Sequence, residues 1–413
     1  MKSPLFFLSL GAALCSAQLE AQNEKKVMFI GIDGLRYDAL VEANTPIIDS
    51  LKNVGLFTND SWHLGITMSG PSWSSMLTGV WENKHLVTNN SYTNANYTSY
   101  PYFPKRAKEC RPDLKCVQII TWNPMDDASN GTGGYVYNSG WDYSLDVGTH
   151  GQGLVTSAAL TQLLDVELDV LFLHYDEVDV AGHANGFSPT VPTYMNAIEG
   201  VDVEIGRVMN GLRNRSNYAN EDWLILLTTD HGGIGFGHGG NTNNERHIWW
   251  IAAGPSVPNA EITGPDPGSY QLSGVDPVTL DNTPVLTDIA VTALDHLLDD
   301  NCNPETNATW NLDGKSWLNE AAYVEDKKDG FRFEVYPNPS QGKFTAVFEA
   351  LKPDAAYSVY DQTGKLVGMG RASSPMMENN RIVFDLTDLE KGIYTIQIQN
   401  DGKSFSRKLI INQ

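Results

Sequence analysis

The chain has 413 residues, of which 41% are hydrophobic, 10% aromatic and 19% charged. That is enough apolar material for a sizeable core in two or three domains of about 150 residues each, and too little charge for a largely disordered chain. With 50 Asp plus Glu against 28 Lys plus Arg, the net charge of −22 repels phosphate backbones and excludes a nucleic-acid scaffold. An anionic substrate would need a locally positive site, which in an acidic protein is commonly bound metal.

At the N-terminus Lys2, the apolar run from Leu5 to Leu10 and small residues up to Ala17 read as a secretory signal peptide, residues 1–17. Cleavage after Ala17 is preferred to cleavage after Ala21, and Leu14 before Cys15 does not suit a lipid-anchor motif. No later segment has the roughly 18 uninterrupted apolar residues of a transmembrane helix, so the mature protein is expected to be soluble and exported. Cys110, Cys116 and Cys302 then remain. Their spacing suggests a Cys110–Cys116 disulfide with Cys302 left over. Without a Cys-x-x-Cys pair, a cysteine zinc site is not expected.

From residue 23 to 320 short apolar runs alternate with helical patterns, which predicts an α/β domain with a mainly parallel sheet flanked by helices. Strands are predicted at Lys26–Ile32, Val117–Ile120, Val170–His174, Trp223–Leu227 and Ile248–Ala252. Their continuous hydrophobicity implies burial on both faces. Val191, Tyr194, Ile198, Val201, Ile205, Val208 and Leu212 recur at helical steps over residues 191–213, and a second helix is predicted over Val285–Leu298. Residues 321–330 are charged and aperiodic, a linker. From 331 to 413 short alternating strands separated by turns at Asn338-Pro339, Asp361–Gly364 and Asn400–Gly402 predict a small all-β sandwich domain.

Three predicted strands lead directly or nearly so into acidic residues: Gly31-Ile32-Asp33-Gly34, His174-Tyr175-Asp176-Glu177-Val178-Asp179 and Thr228-Thr229-Asp230-His231. Parallel sheets bind ligands beyond the carboxyl ends of their strands, so these segments should converge. Converging carboxylates repel unless a cation neutralises them. With His183, His231 and His238 nearby and no cysteine, the donor set suits zinc or a similar divalent ion. Each Asp alone reads more readily as a helix cap or turn former than as a ligand; three at successive strand ends do not. Between the first two segments, Ser69-Gly70-Pro71 before an apolar helix places a hydroxyl at a helix N-terminus, a setting for a nucleophile, for an anionic group, or for a plain capping serine.

In this order, Gly-Ile-Asp-Gly, a hydroxyl residue with Pro two places on, Leu77-Thr78-Gly79, Asp179-x-x-x-His183, Asp230-His231-Gly232 and His238-Gly239, residues 26–320 resemble the alkaline phosphatase superfamily, in its type I phosphodiesterase and nucleotide pyrophosphatase branch. The resemblance implies that Asp33, Ser69, Asp230 and His231 hold one zinc ion and Asp179, His183 and His238 a second, with His247 the alternative to His238. It implies a secreted two-metal hydrolase of phosphate esters, with Ser69 attacking phosphorus to form a phosphoseryl intermediate. The branch often has Thr as nucleophile with Asn three places later; here those are Ser69 and Ser72, and Asn83 or Asn89 are the candidate substitutes. Sulfatases carry Arg four places after the nucleophile, where this chain has Trp73.

The missing Arg and the aromatics Trp62, Trp73, Trp81, Tyr92, Tyr97, Tyr100 and Tyr102 favour a diester with an apolar or stacking group. Competing expectations are a phosphomonoesterase or unusual sulfatase, and a non-catalytic surface binding protein with a degenerate hydrolase domain. Val335-Tyr336-Pro337-Asn338-Pro339, Tyr360–Lys365, Leu389–Tyr394 and Lys408–Ile411 resemble the type IX secretion sorting domain of certain Gram-negative bacteria. That implies engagement of this machinery, passage across the outer membrane and a secreted or cell-surface location.

Overall fold

In the computed structural model, residues 23–128, 133–298, 302, 308–318 and, with short gaps, 333–412 are described. The expected signal peptide and linker lie outside these residues. The chain forms two compact units, one of residues up to 325 and one of those beyond. Among the described residues no helix is long and apolar enough to cross a membrane.

The first unit is built on an eight-stranded sheet of β1 (Glu24–Ile32), β2 (Leu56–Trp62), β3 (Lys115–Ile120), β4 (Tyr143–Asp146), β5 (Leu168–Tyr175), β6 (Glu221–Thr229), β7 (His247–Ala253) and β8 (Ala260–Glu261). Their order is β4-β3-β5-β1-β6-β7-β2-β8. The first five in that order are parallel, while β7 runs antiparallel to both β6 and β2. Alternate residues of β1 feed two separate cores: Val27 and Phe29 face one, Met28, Ile30 and Ile32 the other. Helices Ser69–Thr78 and Asp288–Leu297 cover the first face, Gln152–Gln162 and Pro192–Arg213 the second. This two-sided cover explains the unbroken apolar runs. Each buried Val, Leu, Ile or Phe stabilises by about 1.5–3 kcal/mol.

Three differences from the sequence reading have physical causes. Strand β2 carries the polar run Thr58-Asn59-Asp60-Ser61, with a register irregularity between Thr58 and Ser61, so its hydrophobicity does not announce a strand. The helix predicted from Val285 starts at Asp288, where Val285 N–H donates to the Asp288 carboxylate (2.8 Å). Cys110 pairs with Cys302, not with Cys116; the paired Cα atoms are 6.3 Å apart. Strand β3 carries Cys116 into the core as a buried free thiol, while the helix Phe103–Cys110 packs on Asp288–Leu297, whose chain leads to Cys302.

The second unit is two four-stranded antiparallel sheets. One comprises Phe333–Tyr336, Lys343–Phe348, Arg381–Asp385 and Met377–Glu378; the other Leu366–Arg371, Ala356–Asp361, Gly392–Asn400 and Lys403–Ile411. Phe344, Ala346, Ile382 and Phe384 from one share a core with Val359, Ile396, Ile398, Leu409 and Ile411 from the other. This is the all-β sandwich expected, with strands such as Leu366–Arg371 that short, glycine-containing sequences conceal.

Candidate active site

Strands β5, β1 and β6 are neighbours, and their register aligns Ile32 with both Tyr175 and Thr229. The next residues, Asp33, Asp176 and Asp230, therefore leave the same edge side by side. Helix Glu177–Asn185 follows β5 at once and carries Asp179 and His183 one turn apart. The loop after β6 holds His231 and returns with His238.

Two overlapping sets of candidate metal ligands result: Asp33, Asp230 and His231, and Asp179, His231 and His238, each with donor atoms within 4.8 Å of one another. His231 Nε2 lies 3.2 Å from Asp230 Oδ2 and 3.6 Å from Asp33 Oδ1. His238 Nε2 is 3.6 Å from Asp179 Oδ1 and 3.1 Å from His183 Nε2, and His183 Nε2 is 3.4 Å from Asp179 Oδ2. His183 thus stands beside the second set, and His231 touches both sets. His247 lies elsewhere, its ring stacked on Trp62 at 4.5 Å and its Nε2 3.4 Å from Asp60.

The donors fit divalent cations on three counts. Asp33 Oδ1, Asp179 Oδ1 and Asp230 Oδ2 are buried without hydrogen-bond partners, which is costly for carboxylate oxygens unless something positive meets them. Each histidine gives its Nδ1–H to a carbonyl: His231 to Gly232 (2.8 Å), His238 to Thr67 (2.9 Å) and His183 to Phe236 (2.9 Å). A carbonyl only accepts, so in the neutral rings Nε2 keeps its lone pair facing the site. The third count is charge. Burial pushes Asp33 up, but the hydrogen bond from His174 and the charge of His231 outweigh it and hold the carboxyl well below the usual range. Asp179 is pushed up to about 9 by burial and then by repulsion from Asp33 and Asp176. Asp230 is likewise raised, by burial and then by Asp33. Burial, with His238 beside it, pushes His231 down to about 3. Without a cation, Asp179 holds its proton up to about pH 9 and Asp230 is shifted in the same direction, whereas Asp33 is shifted the other way; cations would let all three ionise.

Ser69 opens helix Ser69–Thr78, entered from extended Met68, and every residue of that helix is buried. Pro71 lacks an amide hydrogen where the first turn has no acceptor for one. Ser69 Oγ lies 3.4 Å from His231 Nε2, the ring shared by the two ligand sets. Asn90, which sequence reasoning missed, is fixed at this turn: its Oδ1 accepts from Gly70 N–H at 2.8 Å. Asn89 is instead spent on Ser91 in an exposed turn, and Asn83 is exposed beside Trp81 and Tyr270. Nothing in the Asn89-Asn90 dipeptide separates the two. The aromatics read as a stacking surface are mostly core: Trp62, Trp73, Trp81, Tyr92, Tyr97 and Tyr102 are all buried, as expected of rings that pack under a loop-rich face.

The fold is alkaline phosphatase-like. A phosphonate monoester hydrolase from Silicibacter pomeroyi superposes with a TM-score of 0.52 at 14% identity, over 94% of this chain and 89% of that one. The profile of the type I phosphodiesterase / nucleotide pyrophosphatase family matches residues 27–239, and the chain belongs to that family. Ectonucleotide pyrophosphatase/phosphodiesterase family member 7 from Mus musculus is 20% identical over 239 residues, 53% of this chain and 52% of the relative. Bis(5'-adenosyl)-triphosphatase ENPP4 from Bos taurus is 24% identical over 232 residues, 53% and 49%. The chain spans about half the length of these curated relatives. Residues 334–412 match the secretion system C-terminal sorting domain, which directs the chain through type IX secretion to the cell surface or extracellular space.

Proposed function

We propose that this chain is an exported phosphodiesterase in which Ser69 attacks phosphorus and is transiently phosphorylated. Asp33, Asp230 and His231 would hold one divalent cation and Asp179, His183 and His238 another, with zinc the best match to the donors. When bound, these ions supply Lewis-acid charge that favours the ionised serine and the charge developing on phosphoryl oxygens. Ser69 Oγ, fixed by a buried helix at the junction of the two ligand sets, is the observation that carries the reading. An Oγ–P bond forms as the bond to the leaving group breaks, the serine proton passing by way of solvent to the departing alkoxide; water then attacks phosphorus, the P–Oγ bond breaks and Ser69 Oγ recovers a proton. Asn90, held through Oδ1, has its amide N–H groups as donors for a phosphoryl oxygen.

Monoanionic diesters fit the site's cation supply better than dianionic monoesters. Arg36 is spent on Asp38, Phe187 O and Gly233 O, and Arg246 on Asp266 and His63 O. Trp73 stands where a sulfatase would carry Arg. The proposed order of parts is a signal peptide (1–17), the catalytic domain (23–320), a linker (321–330) and the sorting domain (331–413), recognised by the secretion machinery.

Ser69→Ala is expected to abolish hydrolysis of bis-p-nitrophenyl phosphate, by at least about a thousandfold, with two equivalents of metal still present by elemental analysis. Full activity in that variant would refute the nucleophile. Faster cleavage of p-nitrophenyl phosphate or p-nitrophenyl sulfate would refute the diester preference. A chain that binds no metal would instead support a binding protein with a degenerate site.

A further inference from the structure

The two oxygens of Asp33 have different surroundings. Oδ2 accepts from Trp73 Nε1 at 3.0 Å and from His174 Nε2 at 3.2 Å, whereas Oδ1 has no hydrogen-bond partner and looks toward His231. His174, fully buried near the end of β5, lies with Nδ1 3.0 Å from Thr121 Oγ1. Since a carboxylate accepts, Nε2 carries the hydrogen, and in the neutral ring Nδ1 then accepts from the Thr121 hydroxyl. Trp73 sits one turn after Ser69 on the same helix. Its indole lies against Gly31, where any Cβ would overlap the ring, and meets the His174 ring edge-on at 4.9 Å. Trp73 and His174 therefore donate to one and the same oxygen, and Gly31 leaves the room the indole needs to reach it.

We infer that Trp73 and His174 are positioning residues that make Asp33 a one-oxygen metal ligand and tie the Ser69 helix to it. The inference rests on the reading of Asp33 as a ligand. A carboxylate turned to offer Oδ2, or both oxygens, would leave two fully buried N–H donors unpaired, so only Oδ1 is available to a cation. Because one donor comes from the helix that starts at Ser69, the nucleophile and the ligand keep a set separation. The other donor is oriented from β3 through Thr121, so three segments fix this one side chain.

The test uses zinc alone, titrated into the cation-free full-length chain against a chelating dye, with thermal melts of each cation-free variant as the folding control. Trp73→Phe and His174→Phe keep an aromatic ring but remove the donor. Each is expected to weaken one of the two zinc equivalents by about 10–100-fold and leave the other unchanged. His174→Gln, whose amide nitrogen can stand in for Nε2, is expected to restore most of the loss. Thr121→Val, which does not touch Asp33, should weaken the same equivalent by a smaller factor. Wild-type zinc affinity in both Phe variants overturns the inference, as does equal weakening of both equivalents with no recovery in His174→Gln. A wild-type chain that takes up no zinc refutes the reading of the site itself, and this inference with it. Two equivalents in the wild type with unaltered variants refute the inference alone.

Discussion

Asp33, Asp230 and His231 stand at the ends of central parallel strands and are buried, whereas Asp179 and His183 ride a short helix and His238 a glycine-rich loop, with 46% of the His183 side chain in solvent. The strand-end set is placed by backbone register: six residue pairs of β1 with β5 and nine with β6 leave no freedom to slip. The helix-and-loop set is placed by side-chain to carbonyl bonds, one from helix to loop, His183 to Phe236, and one from loop to loop, His238 to Thr67. A sheet edge can be rigid because its hydrogen bonds are many and shared. A loop must be pinned one bond at a time, and openness to solvent is what admits a substrate.

This contrast can be broken by substitution and by pH. Asp230→Asn should have the largest effect, about 10³-fold in kcat/KM, since it removes a fully buried carboxylate of the candidate metal set; a tenfold loss or less would show that the strand-end set is not the dominant one. The pH response should come next. In the cation-free chain Asp179 holds its proton until about pH 9, and burial shifts Asp230 in the same direction. A cation must expel any bound proton, so apparent zinc affinity should rise by about tenfold per pH unit for each proton released below about pH 9, then flatten. Calorimetry in buffers of different ionisation enthalpy measures that release, and a pH-independent affinity would contradict the charge assignment. The smallest change is expected from His183→Ala. Half-exposed and at the margin of its set, it should cost about tenfold in affinity for one ion, seen as earlier metal loss on dialysis against chelator. If His183→Ala equals Asp230→Asn in effect, the two sets are equivalent and the distinction fails.

Asp33 and Asp230 were legible because an apolar run that ends abruptly in Asp is a local feature, and parallel topology then brings such ends together. The fifth predicted strand, β7, was legible as a strand but not in its antiparallel direction, which depends on the chain path between His231 and His247. Asn90 was not legible, because its role depends on a contact with Gly70 twenty residues away. The aromatics around Ser69 misled for a related reason: composition shows that rings are present, and only packing shows that they face inward.

Residue order alone determined the α/β and all-β division, the acidic strand ends, the serine at a helix start and the export signature, since each is written in local periodicity or contiguous motifs. Tertiary structure decided that His238 and not His247 lies beside Asp179 and His231, that Cys110 meets Cys302, and that Trp73 and His174 share one oxygen of Asp33. These are choices among chemically equivalent partners distant in sequence. Only the folded path of the backbone sets which of them comes within bonding distance.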